Sequence, residues 1–73
     1  MKWEGKDLKG YPEIIDTAFK LRGKKRTEFV NAYLKSGKYA AKNIGYVAGY
    51  YDGPTARKIL KIFGTKHPVF GGL

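Results

Sequence analysis

Three cationic side chains lie close together near the end of the sequence, at Arg57, Lys58 and Lys61. An arginine guanidinium can donate two hydrogen bonds at once to a guanine base, whereas a lysine ammonium more often holds a phosphate or a single base atom. Thr55 adds a hydroxyl just before them. This combination is typical of a nucleic-acid contact, and it is also found on helices whose outer face is only solvated.

The residues around these cations predict a helix that directs them outward. The turn Asp52-Gly53-Pro54 places a proline where the first helical turn accepts it, and Asp52 is better explained as a cap or turn residue than as a metal ligand. Gly64 is a natural end for the segment. The inward face is predicted from spacings of three and four residues, at Ala56, Ile59, Leu60 and Phe63.

Another helix, the third in chain order, is predicted just before that turn, over about residues 38–50. Its inward face is expected at Ala40, Ala41, Ile44, Val47 and Ala48. Two helices joined by a short glycine-containing turn suit a helix-turn-helix, in which the second helix enters the major groove of DNA. Lys38 and Lys42 are four residues apart on the first helix of the pair, where they are candidate phosphate contacts.

Two more helices are predicted upstream. Tyr11-Pro12 opens the first helix, and Thr27 is predicted to cap the second, which Ser36-Gly37 would end. Their apolar stripes are expected at Ile14, Ile15, Ala18 and Phe19 in the first helix, and at Phe29, Val30, Tyr33 and Leu34 in the second.

A basic cluster lies between these two helices, in a segment predicted to be a loop that starts at Gly23. Lys24, Lys25 and Arg26 follow one another there. They are candidates for contacts with backbone phosphate, although charged loops are also common where a protein needs only solvation.

The predicted fold class is all-α, a small four-helix domain that contains a helix-turn-helix-like pair. The helical DNA-binding domain would span residues 11–66. A flexible N-terminal arm, residues 1–10, would precede it, with Trp3 as its candidate anchor. A C-terminal tail, residues 67–73, would follow, with Val69 and Phe70 expected to fold back on the core. No convincing strand is indicated.

The charge balance indicates a polyanionic partner. The 73 residues hold 15 Lys and Arg against 6 Asp and Glu, a net charge of +9. Such an excess destabilises a compact domain by self-repulsion, and an anionic partner relieves it. Nucleic acid is the usual candidate for such a charge and an anionic membrane surface the second. Double-stranded DNA is the predicted partner, an acidic protein or RNA would also fit, and no membrane partner is expected.

Six tyrosines are many for a chain of this length, and three of them, Tyr46, Tyr50 and Tyr51, surround the predicted turn. Exposed tyrosines would stack on unpaired bases and favour single-stranded DNA or RNA. Tyrosine more often packs its ring in a small core and leaves its hydroxyl hydrated, so packing is the favoured interpretation here.

Several function classes are disfavoured. The chain has no cysteine and a single histidine, His67, so thiolate and multi-histidine metal sites are excluded. No nucleophile–base pair or ligand set can be found, so neither an enzyme nor a cofactor is predicted. Apolar runs are too short to span a bilayer, and the charged N-terminus does not fit a signal peptide. A soluble, cytoplasmic protein is expected, with an oligomer as an open possibility.

The run FVNAYLKSGKYAAKNIGYVAGYYDGPTARKIL, within a match over about residues 27–70, resembles the N-terminal helix-turn-helix domain of phage terminase small subunits. The turn here is about one residue longer than in that family, and Ile44-Gly45 stands where the family favours paired alanines. The matching residues are Phe29, Val30, Tyr33, Leu34, Ala41, Ala48, Gly49, Tyr50, Thr55, Ala56 and Leu60.

The resemblance implies a helix-turn-helix fold and DNA recognition, and a phage or mobile-element origin. It does not imply DNA packaging, since the chain does not extend into an oligomerisation region. Two alternatives from other classes stay open: a protein-interaction module, such as a phage inhibitor that binds an acidic host protein, and an RNA-binding protein.

Overall fold

The structure is a computed structural model that describes residues 1–64. It contains four helices and one two-stranded sheet, so the all-α class predicted for this chain is confirmed. Two compact units are distinguished, Met1–Gly37 and a second unit that begins at Lys38. In chain order the elements are β1 (Lys2–Trp3), β2 (Lys6–Asp7), α1 (Tyr11–Lys20), α2 (Gly23–Lys35), α3 (Ala40–Ala48) and α4 (Gly53–Phe63).

The core of the first unit lies between α1 and α2. The helices bury the apolar stripes that the spacing predicts, apart from Phe19 and Leu34, which are half-buried. Burial, reinforced by the neighbouring Tyr11, raises the pKa of the Tyr33 phenol above its ordinary value. Tyr33 is therefore a core residue and not a surface contact. The buried members of this core include Ile14, Ile15, Ala18, Phe29, Val30 and Tyr33.

Helix α2 begins five residues earlier than predicted, at Gly23, so the prediction that Thr27 caps it is wrong. The N-cap is Arg22, which makes no side-chain capping bond. The Thr27 hydroxyl instead donates to the carbonyl of Gly23, 3.4 Å away, as serine and threonine often do inside helices. The basic cluster predicted to lie in a loop thus occupies the first turn of α2.

A β-hairpin occupies most of the segment predicted to be a flexible arm, and the expectation of no strand is wrong. Lys2 pairs with Asp7 and Trp3 with Lys6, leaving a two-residue turn. Glu4 and Gly5 have φ values of 46° and 82°. Positive φ at both central positions is the signature of the type I′ turn, whose twist matches that of a hairpin.

The hairpin is attached to the rest of the first unit by aromatic and apolar packing. The Trp3 ring meets the Phe29 ring edge to face, with centroids 5.1 Å apart and an interplanar angle of 82°. Leu8, just after β2, is buried. Met1 and Leu8 exchange two hydrogen bonds of 2.7 and 2.8 Å between the chain terminus and the backbone. Trp3 is thus the anchor that its position suggested.

In the second unit, α3 and α4 pack against each other. Helix α4 matches its prediction closely, with a proline in its first turn and all four members of its apolar stripe buried. Its end is fixed by Gly64, whose φ of 75° lies in the left-handed region that glycine tolerates best. The Gly64 amide donates to the carbonyl of Leu60 and so closes the last turn.

Helix α3 is shorter than predicted and buries a different set of residues. Ala40, Ile44 and Ala48 are buried as expected, while Val47 is only half-buried and Ala41 is exposed. The predicted contacts of the tail, at Val69 and Phe70, fall outside the described residues.

Candidate nucleic-acid interface

The outer face of α4 carries the three cations that are predicted to contact DNA. Arg57, Lys58 and Lys61 are all exposed. At about 100° per residue they lie within roughly a third of the helix circumference. The opposite side holds the buried stripe centred on Ile59 and Leu60. The apolar packing therefore fixes the direction in which the three cations point.

Helix α4 starts at a capping carboxylate. The Asp52 side chain accepts a hydrogen bond of 3.0 Å from the Thr55 amide, and the Asp52 carbonyl accepts one of 2.8 Å from Ala56. The Thr55 hydroxyl and then the Thr55 amide hold the pKa of the Asp52 carboxyl below its ordinary value. The interpretation of Asp52 as a cap is confirmed. A phosphate at this helix end would meet a carboxylate already in place, so phosphate binding by the terminal amides is disfavoured.

This cap makes the stability of α4 dependent on pH. Because the folded-state pKa of Asp52 is lowered, its contribution is complete above the unfolded pKa and is lost as the pH falls through the folded pKa. Asp52→Asn keeps a capping oxygen that does not titrate. We expect the melting temperature of the native chain, relative to Asp52→Asn, to fall on acidification below about pH 4. Circular dichroism melts of both proteins measure this, and a difference that stays constant with pH would contradict it.

The outer side of α3 adds two further cations. Lys38, just before the helix, and Lys42, in its first turn, are both exposed. The Lys38 ammonium lies 5.5 Å from the centroid of the Tyr39 ring, within the range of a cation–π contact. Both predicted phosphate contacts of this helix are therefore accessible.

The interpretation of the tyrosines as packed residues is wrong for two of the three near the turn. Tyr50 is 88% exposed and Tyr46 is 40% exposed, while Tyr51 is half-buried. Tyr39, at the start of α3, is 58% exposed. Among residues 1–64 the only large apolar side chains that are exposed are Tyr39, Tyr46 and Tyr50. The second unit thus combines cations with accessible aromatic rings.

The basic cluster of α2 is largely engaged within the first unit. Lys25 pairs with Glu4 and lies 5.9 Å from the centroid of the Trp3 ring. The hydrogen bond and the charge of Glu4 raise the pKa of the Lys25 ammonium. Lys24 is exposed. Of the three predicted contacts, Lys25 therefore serves first to attach the hairpin to α2.

Arg26 completes the end of α1. Its guanidinium donates to the carbonyl of Ala18 at 2.9 Å and to that of Phe19 at 3.2 Å. The last carbonyls of a helix lack partners within the helix, and a cation there also suits the helix dipole. This role was missed because it joins residues that belong to two different helices.

Charge is distributed differently in the two units. Residues 38–64 hold five basic side chains and one acidic side chain, Asp52, whereas residues 1–37 hold nine basic and five acidic ones. In the first unit an open groove of ≈ 560 Å³ is lined by four carboxylates together with Lys6 and Lys20. Asp16 in this groove pairs with Lys20 at 3.0 Å. Fewer of the positive charges are therefore offset by carboxylates in residues 38–64 than in residues 1–37.

Neither a metal site nor a membrane-spanning helix is found in the described part of the chain. No group of three or more His, Asp or Glu side chains within residues 1–64 is arranged to hold a metal ion. In the same residues, no helix combines the length and apolar character that crossing a bilayer requires. His67 lies outside this range.

Comparisons of the chain with protein-family models, with curated proteins and with solved structures give no match. The resemblance to terminase small subunits consequently stays a prediction that depends on the residues themselves.

Proposed function

We propose that this chain is a DNA-binding protein that acts by binding alone, with the α3–turn–α4 pair docked on duplex DNA and α4 in the major groove. The observation that carries the proposal is the two-sided character of α4. Arg57, Lys58 and Lys61 are exposed on one side, and the apolar stripe is buried on the other. The second helix of such a pair is the element that enters the groove.

The proposed roles follow from position and chemistry. Arg57 lies in the N-terminal half of α4, where a recognition helix contacts base edges, and a guanidinium suits guanine. Gly53 has no Cβ, but the position that a Cβ would take there is 3.6 Å from the Arg57 Nη1 atom. The guanidinium therefore lies beside the start of the helix. Lys58 and Lys61 are assigned to phosphate. Thr55 is half-buried and is tied to the cap, which leaves it at most a minor contact.

Phosphate contacts from outside α4 are assigned unequally. Lys38 and Lys42 are exposed on the preceding helix and would contact the backbone. Lys25 and Arg26 already have partners in the first unit, so binding DNA would require breaking those interactions. Only Lys24 of that cluster stays a candidate.

The biological setting is part of the proposal. The resemblance to phage terminase small subunits supports a phage-encoded protein that recognises DNA in the cytoplasm of the host cell, with no cofactor and no chemical step. An acidic protein and RNA stay alternative partners. Both would be attracted by the same charge, and competition with single-stranded RNA distinguishes the RNA alternative from duplex DNA.

The salt dependence of binding tests the proposal directly. Four cations are assigned to phosphate: Lys38, Lys42, Lys58 and Lys61. If each neutralises one phosphate, log K should fall with log salt with a slope of about −3.6. Fluorescence anisotropy of a labelled duplex over a salt series measures it, with single-stranded RNA as competitor. An affinity for duplex that does not change with salt would overturn the proposal. RNA displacing the duplex at a lower concentration than unlabelled duplex would overturn it in favour of an RNA partner.

A further inference from the structure

A row of exposed tyrosines follows one side of α3. Tyr39, Tyr46 and Tyr50 are separated by seven and four residues. At about 100° per residue these spacings return to nearly the same side of a helix. Tyr50 follows directly after α3, because the amides of Gly49, Tyr50 and Tyr51 donate at 3.0–3.1 Å to carbonyls three residues earlier and so extend the helix as a 3₁₀ turn. Its ring is exposed like those of Tyr39 and Tyr46.

The exposure of these rings requires an explanation, because a tyrosine in a small domain usually packs its ring in the core. Tyr50, by contrast, has 88% of its surface accessible. Lys42 is exposed three residues after Tyr39 on the same helix, and the Lys38 ammonium already lies over the Tyr39 ring. The surface formed by Lys38, Tyr39, Lys42, Tyr46 and Tyr50, called here the tyrosine face, therefore alternates flat π surfaces with ammonium groups.

We infer that the tyrosine face binds unpaired bases of DNA, so that the protein prefers DNA containing a locally melted or single-stranded segment to fully paired duplex. Aromatic rings stack on the faces of unpaired bases whatever their sequence, while nearby cations follow the phosphate backbone. In paired duplex the faces of the bases are covered by their neighbours. The rings would then have no ligand, and the contacts would come from α4 and from the phosphate contacts of Lys38 and Lys42.

The composition of this surface favours nucleic acid over a protein partner. Tyrosine is common in protein interfaces, but lysine is depleted there, and the tyrosine face carries two lysines and no carboxylate. The described residues of the second unit hold a single acidic side chain, Asp52. Within residues 1–64 no aliphatic side chain of large size is exposed beside the rings, so an apolar core for a protein interface is lacking.

The inference depends on the proposed function in one respect, namely that the partner is DNA. It adds a statement about the DNA that is bound, which should contain unpaired bases.

The test compares two labelled probes by fluorescence anisotropy at one salt concentration. One probe is a duplex, and the other is the same duplex with a short mismatched bubble at its centre. We expect the native protein to bind the bubble more tightly, by about 5- to 150-fold for each base stacked on a ring.

Substitutions at Tyr50 identify the cause of that preference. Tyr50→Ala should lower the preference for the bubble by the contribution of one stacked base, about 5- to 150-fold, and leave duplex affinity nearly unchanged, because the side chain is exposed and packs little in the fold. Tyr50→Phe keeps the ring and should keep the preference. Tyr46→Ala should act like Tyr50→Ala. Quenching of tyrosine fluorescence by the bubble probe gives a second readout of stacking.

The outcomes separate this inference from the proposed function. Equal affinity of the native protein for both probes would overturn the inference and leave duplex binding intact. Equal loss on both probes in Tyr50→Ala would overturn it as well, since the ring would then serve the duplex contact. Binding of the bubble or of a single strand without measurable duplex binding would overturn the proposed function and support the inference. No binding of any of these probes would overturn both.

Discussion

Replacing Arg57, Lys58 and Lys61 together by glutamine should weaken duplex binding strongly. Near 0.1 M salt the two lost phosphate contacts of the lysines account for about 60-fold, because each contributes about 0.9 to the slope of log K against log salt. The lost base contact of Arg57, about 1–3 kcal/mol, adds a further factor of about 5 to 150. The slope itself should become less steep by about 1.8 for the two lost phosphate contacts. Glutamine forms helices nearly as well as the residues it replaces, so α4 should keep its structure. Anisotropy over a salt series measures both quantities, and circular dichroism verifies the helix content.

The first unit offers a control with the same change in charge. Lys2, Lys6 and Lys9 lie in or beside the hairpin and are exposed. Their triple replacement by glutamine removes the same three positive charges, and we expect a slope within about one of that of the native chain. If both triple variants lose affinity equally, binding depends on the total charge of the protein, and the assignment of α4 as the groove-reading element is wrong.

Helix α4 was predictable because each local signal agrees with the others. Asp52 is a good capping residue, Pro54 suits the first turn, and Gly64 adopts the left-handed conformation that ends the helix. The apolar spacing between them selects one buried side, and the structure buries that side. Once this stripe is fixed, the outward direction of the three cations follows from helix geometry alone.

The hairpin was missed because its strands are too short to show a pattern. Two residues, such as Lys2–Trp3, cannot display the alternation that indicates a strand. The turn itself is occupied by Glu4 and Gly5, and glutamate is uncommon at positive φ, where asparagine and aspartate are the usual signals. Its position depends on Trp3 meeting Phe29, which is a tertiary contact across 26 residues of sequence.

The surface of α3 was only partly predictable, for a different reason. Burial of a tyrosine depends on which elements cover it, and its amphipathic side chain is suited to both environments. The spacing of Tyr39, Tyr46 and Tyr50 was nevertheless present in the sequence, and it is the signal that could have identified one exposed side of the helix. The same limit applies to Arg26, whose partners Ala18 and Phe19 are set by packing between α1 and α2.

Replacing Ile59 by alanine should cost about 2–5 kcal/mol of unfolding free energy, the usual range for large-to-alanine changes in a core. Ile59 is one of the three largest fully buried side chains of the described residues, with Phe29 and Ile44. A domain of this size has a total stability of only about 4–11 kcal/mol. Part of the population should therefore be unfolded at physiological temperature, and apparent DNA affinity should fall in proportion to the folded fraction.

The same change at Ile62 provides the matched control. Ile62 is on α4 as well but is only half-buried, so Ile62→Ala should cost clearly less than Ile59→Ala. Urea denaturation followed by circular dichroism gives both free energies. Equal costs, or a larger cost at Ile62, would mean that α4 is rotated about its axis relative to the structure. In that case Arg57, Lys58 and Lys61 would no longer lie opposite the core, and the physical basis for a DNA-contacting helix would be lost.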